Sequence, residues 1–181
     1  MYPKVLIRFL FGGPVVSTWP AEIGLLVLRL VGGLGLALLH GRSKVFDPAM
    51  FEQFSTGVEQ LGFPLPGFST WAAALGELVG GLLLAMGLFT RLAALWVMGV
   101  MAGAAFVAHG GSFTGAAPLA EAEMAVLYLV IGFCFLMTGS SRTGLDQLIW
   151  RRYTLSDSEA EIANFQRRQE ALAGAARGRG A

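Results

Sequence analysis

Residues 29–44 read RLVGGLGLALLHGRSK, an apolar, glycine-rich run that contains an arginine and ends in a histidine, a glycine and two bases. An arginine in a helix that is otherwise compatible with lipid is costly, so it usually faces protein or water. Arg29 and His40 are about three helical turns apart, so we expect them to share one helix face. The stretch therefore predicts a membrane helix whose polar face needs acidic partners elsewhere in the chain.

The composition of the whole chain is typical of a membrane protein. Of its 181 residues, 55% are hydrophobic and 14% are charged, and the mean hydropathy is +0.62. A soluble domain carries about a quarter charged residues, whereas here the few charges gather at the ends and in one loop. Four long apolar runs lie between them and predict transmembrane helices. The net charge of +1 gives no reason to expect a nucleic-acid partner.

The apolar runs predict an all-α, four-helix membrane bundle. Its spans should cover residues 21–40, 70–89, 91–109 and 120–138. Because only a very short turn separates the second and third spans, these two should be antiparallel neighbours. Glu77 is the one charge of the second span, and Gly76 and Gly80 beside it should allow a close helix contact around a buried carboxylate.

Two amphipathic elements are predicted outside the spans. Asp47 and Pro48 supply an N-cap and a first helical position, and apolar residues then recur at helical spacing. This pattern predicts a helix over residues 47–61 that lies on the membrane or over the mouth of the bundle. Residues 1–20 predict a basic N-terminal segment at the membrane surface.

The C-terminal region, residues 149–181, is a polar tail. Ser156 and Glu159 have the spacing of a capping box, which predicts a cytoplasmic helix over about residues 156–173. Lysines and arginines concentrate near both termini and in the turn between the second and third spans. The positive-inside rule therefore predicts a multi-pass protein with both termini in the cytoplasm.

This orientation brings several polar residues to the outer half of the bundle. His40, Lys44 and Glu77 fall there, and Arg29 lies deeper. From the helical rise, we expect the Arg29 side chain to reach Glu77 inside the bundle. Glu121 and Glu123 lie about 200° apart around a helix, so both cannot face the core, and Glu123 is the candidate.

The remaining reactive side chains give little indication of cofactor chemistry. Cys134 stands alone in the last apolar run, so it forms no internal disulfide or dithiol pair, and we interpret it as a packing residue. His40 and His109 lie at predicted helix ends, where histidines are more often interfacial polar groups than metal ligands. No metal site is expected.

Three stretches carry a resemblance to a known family: RLVGGLGLALLHGRSK, GELVGGLLLAMGLFTRLAAL and EMAVLYLVIGFCFLMTGSSRTGLD. Through them the chain resembles the DoxX family of small four-helix bacterial membrane proteins over about residues 24–148, so residues 21–148 are expected to form a DoxX-like domain. The resemblance places the arginine of the family at Arg29 and its histidine-glycine-lysine pattern at His40, Gly41 and Lys44. Its acids fall on Glu77, Glu123 and Asp146. Ser140 and Ser141 depart from it, because they stand where the family often has a glycine-rich turn.

The resemblance implies a subunit of a redox complex in the bacterial cytoplasmic membrane, similar to a thiosulfate:quinone oxidoreductase. In this interpretation quinone is the candidate cofactor, lying between the apolar helices near the outer surface. His40, Glu77 or Glu123 would exchange protons with it, because burial and charged neighbours can move such pKa values toward neutrality. Arg29 or Lys44 would stabilise an anion.

The alternative is a non-catalytic accessory subunit. The buried charges would then fix the register of the helices, and the glycine faces would bind partner helices of other membrane proteins. Membrane lipid is a partner in both interpretations, and the sequence leaves open both catalysis and a homo-oligomer. A bound quinone would favour the redox interpretation, whereas stable association with a larger complex and no ligand would favour the accessory one.

Overall fold

The chain is all-helical wherever the computed structural model describes it, at Phe11 and over residues 18–108 and 116–178, with side chains of the last range described over 122–169. Six helices follow one another in these ranges: α1 (Trp19–Phe46), α2 (Pro48–Gln60), α3 (Pro66–Met86), α4 (Thr90–Ala108), α5 (Ala116–Thr138) and α6 (Leu145–Gly178). Among the described helices, α1, α3 and α4 are long and apolar enough to span a membrane. The described apolar part of α5, Ala122–Thr138, is shorter.

Small residues let the long helices pack closely. Helix α3 packs against α1, and α4 packs mainly against α5. At the crossing of α1 and α3, a Cβ atom added to Gly33 would lie 2.6 Å from the carbonyl oxygen of Gly81 and 2.7 Å from the amide nitrogen of Ala85. Only a residue without a side chain fits this backbone contact, as is usual for close crossings in membranes.

The helices α1, α3 and α4 each contain a π-helical turn. These turns cover Leu36–Gly41, Gly76–Gly80 and Ala104–Ala108. The first two pack on each other, and Gly41 lies directly on the backbone of Glu77 and Leu78. A π turn holds one residue more than a regular α-helical turn. Each side chain that follows it therefore lies at a different angle around the helix axis than an uninterrupted α-helix would give it.

Several predicted elements occur where the sequence placed them. A turn of three residues joins α3 to α4, and Gly87 within it has a left-handed φ of 66°. The indole nitrogen of Trp96 donates to the carbonyl oxygen of Ala72 at 3.1 Å, so α3 and α4 are packed neighbours as predicted. The helix expected over 47–61 is α2, and the Asp47 carboxylate caps it by accepting from the amide of Ala49 at 3.0 Å.

Two predicted boundaries are wrong. Helix α1 does not end near His40 but continues through its π turn to Phe46. The C-terminal helix begins at Leu145 rather than at residue 156. No glycine or proline interrupts residues 145–173, so the helix that starts at Leu145 runs past the expected capping box without a break. Apart from Phe11 and residues 18–20, the N-terminal segment predicted over 1–20 lies outside the described residues, as does His109.

We expect Gly33→Val to lower the free energy of unfolding by about 1–3 kcal/mol, the usual cost of overpacking. The added side chain would force α1 and α3 apart. Gly24→Val is the matched control, because no atom lies within 4 Å of a Cβ built on Gly24 in the same helix. Denaturant unfolding of both variants in detergent measures the difference, and equal stabilities would contradict the close crossing.

Candidate functional site

An ion pair between Lys44 and the buried carboxylate of Glu77 defines the candidate site. The Lys44 ammonium donates to both carboxylate oxygens of Glu77, at 2.6 and 2.7 Å. Glu77 is 5% exposed, whereas the Lys44 side chain keeps 22% of its surface exposed. The same ammonium lies 4.4 Å from the ring centre of Phe54 in α2, a favourable cation–π contact. The pair therefore connects α1, α3 and α2.

The two packed π turns bring this pair together. Gly41 lets α1 approach the backbone of α3 at Glu77, and α1 stays helical beyond that point. Lys44 follows Gly41 by less than one turn, so its long side chain starts close to the level of the Glu77 carboxylate. π turns occur frequently at functional sites, where they re-aim particular side chains.

A cavity of about 500 Å³ adjoins the ion pair. Most of its wall is apolar and comes from α2, the loop after it, α3 and α4, with Ser69 near the start of α3. Its aromatic lining residues are Phe54, Phe63, Phe68 and Trp96, and its small ones include Ala72, Ala73, Gly99, Gly103, Ala104 and Ala108. An apolar cavity with a few polar groups is the usual form of a site for a small organic ligand.

Arg29 belongs to a second polar cluster, on the N-terminal half of α1. Its guanidinium donates to the carbonyl oxygen of Ser140 at 2.5 Å and to that of Thr143 at 3.2 Å. The side chain is almost completely buried, and Gly87 and Gly144 leave the space that it occupies. Arg29 therefore ties α1 to the turn between α5 and α6.

Two carboxylates complete this second cluster. Asp146 accepts from the amides of Phe89 and Thr90, at 2.7 and 2.8 Å, and from the Thr90 hydroxyl at 2.7 Å. Glu22, which is 2% exposed, accepts from the amide of Arg142 at 2.9 Å. The cluster therefore joins the start of α1, the turn between α3 and α4, and the turn between α5 and α6.

The predicted interaction between Arg29 and Glu77 is wrong. Gly41 marks the level of Glu77 on α1, and Arg29 precedes Gly41 by twelve residues, which is about 18 Å of helix. The prediction assumed that α1 ends at His40 and placed Lys44 in a loop. Lys44 is in fact helical and contacts Glu77. Each partner of the expected pair instead has its own partners, at separate levels of the structure.

His40 and Glu123 also lie apart from the ion pair. His40 is half-buried and packs edge-on against the ring of Tyr128, with 5.8 Å between ring centres. The π turn that contains it breaks the regular repeat on which a shared face with Arg29 was predicted. Glu123 is exposed because α5 buries the neighbouring Ala122 and Ala125 instead, so it is not a member of the predicted buried network. The side chain of Glu121 is outside the described residues.

Comparison with known proteins places the chain in a family. The family model described as DoxX matches residues 24–110, and the model described as "TQO small subunit DoxD" matches residues 70–165. The chain is also 30% identical over 132 residues to a Bacillus subtilis (strain 168) protein named "Putative oxidoreductase CatD", covering 72% of this chain and 90% of that relative.

The chain belongs to the DoxX family. This membership confirms the resemblance found in the sequence, and together with the apolar helices α1, α3 and α4 it identifies a membrane protein. The DoxX match contains both members of the ion pair, and the DoxD match extends through the turn that binds Arg29. No solved structure matches the chain.

We expect Asp146→Asn to destabilise this DoxX protein by about 2–4 kcal/mol, as usual when a buried charged acceptor is lost. The amide has one acceptor oxygen and cannot serve both backbone donors as the carboxylate does. The substitution also removes the negative charge of Asp146, which interacts favourably with the buried guanidinium of Arg29. Glu52→Gln on the exposed surface of α2 is the control, and unfolding in detergent is the measurement. If the two variants were equally stable, the Asp146 cluster would not hold the turns together.

Proposed function

We propose that this protein is a membrane subunit of a redox system and that it binds the ring of a quinone in the cavity beside Lys44 and Glu77. The observation that carries the proposal is a buried, paired carboxylate at an aromatic-lined cavity in a membrane protein. Two names support the redox part, since one matching family model is described as "TQO small subunit DoxD" and the Bacillus subtilis relative is named "Putative oxidoreductase CatD".

The cavity residues suit the parts of a quinone. Its ring would pack among the aromatic side chains, of which Trp96 is held by its hydrogen bond to Ala72. The Lys44 ammonium can donate to a carbonyl oxygen of the ring. When bound, a quinone supplies a carrier of electrons and protons. The apolar walls would exclude water and so strengthen the polar contacts at one end of the cavity.

Glu77 is the residue proposed to hold a proton. Its two oxygens face the Lys44 ammonium, so the pair is neutral overall when both groups are charged. A ligand oxygen that accepts from Lys44 would compete with Glu77 for the ammonium and would free a carboxylate oxygen to face the ligand. His40 packs against Tyr128 rather than lining the cavity, and Glu123 is exposed, so we assign neither of them this role.

A binding experiment tests the proposal. We expect Lys44→Gln to weaken quinone binding by about tenfold, because the variant loses the charge-assisted hydrogen bond from the ammonium to a ring oxygen. Arg42→Gln is the matched control, since it removes one positive charge at an exposed position of the same helix. Extracted quinone is quantified after titration of both variants in nanodiscs. Equal binding by the two variants would remove Lys44 from the site, and no binding by the unaltered protein would refute the quinone proposal.

We also propose that the protein lies in the bacterial cytoplasmic membrane as a four-span bundle with both termini in the cytoplasm. The clustering of basic residues near the termini and at the α3–α4 turn supports this orientation. The Lys44–Glu77 cavity would then lie toward the outer side, and α2 would lie at the outer interface.

Cysteine labelling tests the orientation. In a Cys134→Ser background, a cysteine introduced at Glu52 in α2 should react with an impermeant thiol reagent in intact cells. A cysteine introduced at Glu159 in α6 should react only after the cells are opened. Both positions are exposed, so accessibility in the folded protein does not differ between them. The reverse pattern would invert the proposed orientation.

One observation favours the accessory role as a second candidate. The Arg29 cluster lies far from the cavity along α1 and binds turns of this same chain, as expected of a device that fixes helix register. However, Gly33 and Gly41 contact α3 of the same chain, so these two glycines are not available for contacts with helices of another protein. A fixed set of co-purifying membrane proteins, with no quinone in the bundle, would select the accessory role.

A further inference from the structure

Helix α6 carries a stripe of apolar side chains that stays uncovered. Leu148, Leu155 and Ile162 follow one another at intervals of seven residues, and Phe165 lies three residues beyond Ile162. The seam of a coiled coil has this spacing, since its apolar positions a and d repeat every seven residues. Leu155, Ile162 and Phe165 are 63%, 58% and 63% exposed, so no part of the described chain packs over them.

The helix that bears this stripe buries none of its described side chains beyond the first turn, over residues 147–169. Helices of folded proteins owe most of their stability to the packing of an apolar face rather than to their backbone alone. A patch of exposed apolar side chains rimmed by polar ones marks an interaction surface. The stripe therefore indicates that α6 has a partner outside the fold of one chain.

The register of the stripe places opposite charges on one flank of it. With Leu155 and Ile162 at position a and Phe165 at position d, both Glu161 and Arg168 fall at position g, which borders the seam. In an antiparallel pair of helices, the g positions of the two helices face each other. When Ile162 of each copy packs on Phe165 of the other, Glu161 of one copy lies beside Arg168 of the second copy, and this ion pair occurs twice.

The charges fit an antiparallel second copy better than a parallel one. On the other flank of an antiparallel seam, Glu159 at position e faces Gln166 of the second copy, so no like charges meet there. A parallel pair would bring the two copies of Arg151, at position d, together in the seam. It would also place Glu161 beside a glutamine instead of an arginine. Like charges in contact are destabilising, so the parallel pair is disfavoured.

Two copies in one membrane can meet in this way. Both copies insert in the same direction, so a two-fold axis that relates them lies along the membrane normal. Two helices that run along the membrane surface are antiparallel about such an axis. The membrane also confines the copies to one plane and one orientation, which raises their effective concentration, so a short seam is sufficient.

We propose that α6 binds a second copy of this chain in an antiparallel coiled coil centred between Ile162 and Phe165. These two side chains form the apolar centre of the interface, and the pairing of Glu161 with Arg168 sets its direction. The interface makes the protein a homodimer, and it is independent of any ligand in the cavity beside Lys44.

Disulfide cross-linking of the full-length protein in proteoliposomes tests the direction of the pair. Two variants, Ser158→Cys and Gln169→Cys, are made in a Cys134→Ser background with tags of different size, then mixed and oxidised. The proposed register places Ser158 at the level of Gln169 of the second copy, so we expect the mixed disulfide and little of either like disulfide. Like disulfides alone would show a parallel pair, and no disulfide would show that another occupant, such as the lipid surface, covers the stripe. Either result overturns the inference.

Charge reversal tests the ion pair. We expect Glu161→Arg to weaken dimerisation by about tenfold, because two attractive contacts become repulsive, and Arg168→Glu to do the same. The variant that carries both changes should recover the affinity of the unaltered protein. Arg167→Glu is the matched control, since it reverses a charge on the side of α6 away from the seam. Energy transfer between donor-labelled and acceptor-labelled copies, over a series of lipid dilutions, measures the affinity.

Two results of this series would contradict the proposal. Equal affinities of Glu161→Arg and Arg167→Glu would remove Glu161 from the interface. Failure of the double variant to recover would show that the single changes act on something other than the ion pair. All of these positions are exposed, and circular dichroism verifies that each variant keeps its helix content.

Discussion

A carboxylate buried among apolar helices has to be paired, and this requirement at Glu77 organises the packing of α1, α2 and α3 around it. An isolated charge in such surroundings costs several kcal/mol or more, which an adjacent ammonium offsets. The ammonium of Lys44 comes from a different helix, so α1 must stay helical past the crossing and must lie very close to α3. Gly41 and the two π turns meet these geometric conditions.

The two polar clusters divide the molecule into parts with different chemistry. Around Arg29, charged groups bind backbone atoms of turns, and the carboxylate of Asp146 serves three donors at once. Such an arrangement has little capacity for a ligand. Around Lys44 and Glu77, the charges satisfy each other and border open space. A group that enters this space can compete for these charges. This is the physical basis for proposing a ligand site at Lys44 and Glu77 and a structural role for the Arg29 cluster.

Much of this arrangement could be predicted from the sequence, because apolar runs, caps and small residues act locally. The helical class, the capping of α2 by Asp47 and the burial of Glu77 beside Gly76 and Gly80 all follow from such patterns. The partner of Glu77 was predicted wrongly as Arg29 instead of Lys44. The prediction assumed a regular α-helix that ends at His40, and it therefore misplaced the residues of α1 along the helix axis relative to Glu77. π turns have no clear residue signature, so a register that depends on them is invisible in the sequence. Glu22 was missed for a different reason, since an acid in the first turn of a helix is equally typical of a solvated helix start.

The π turn of α1 also has a genetic consequence. Such a turn holds one residue more than the regular repeat. Loss of one codon between Leu36 and Gly41 could therefore restore a regular repeat and would leave the apolar character of the segment intact. The helix beyond would keep its rotation, and the lysine would stay beside its carboxylate. Loss of one codon between Gly41 and Lys44, where the helix is regular, would instead turn the lysine by about 100° and carry it away from its carboxylate. In this segment the place of a one-residue gap among relatives would therefore decide whether the ion pair is kept.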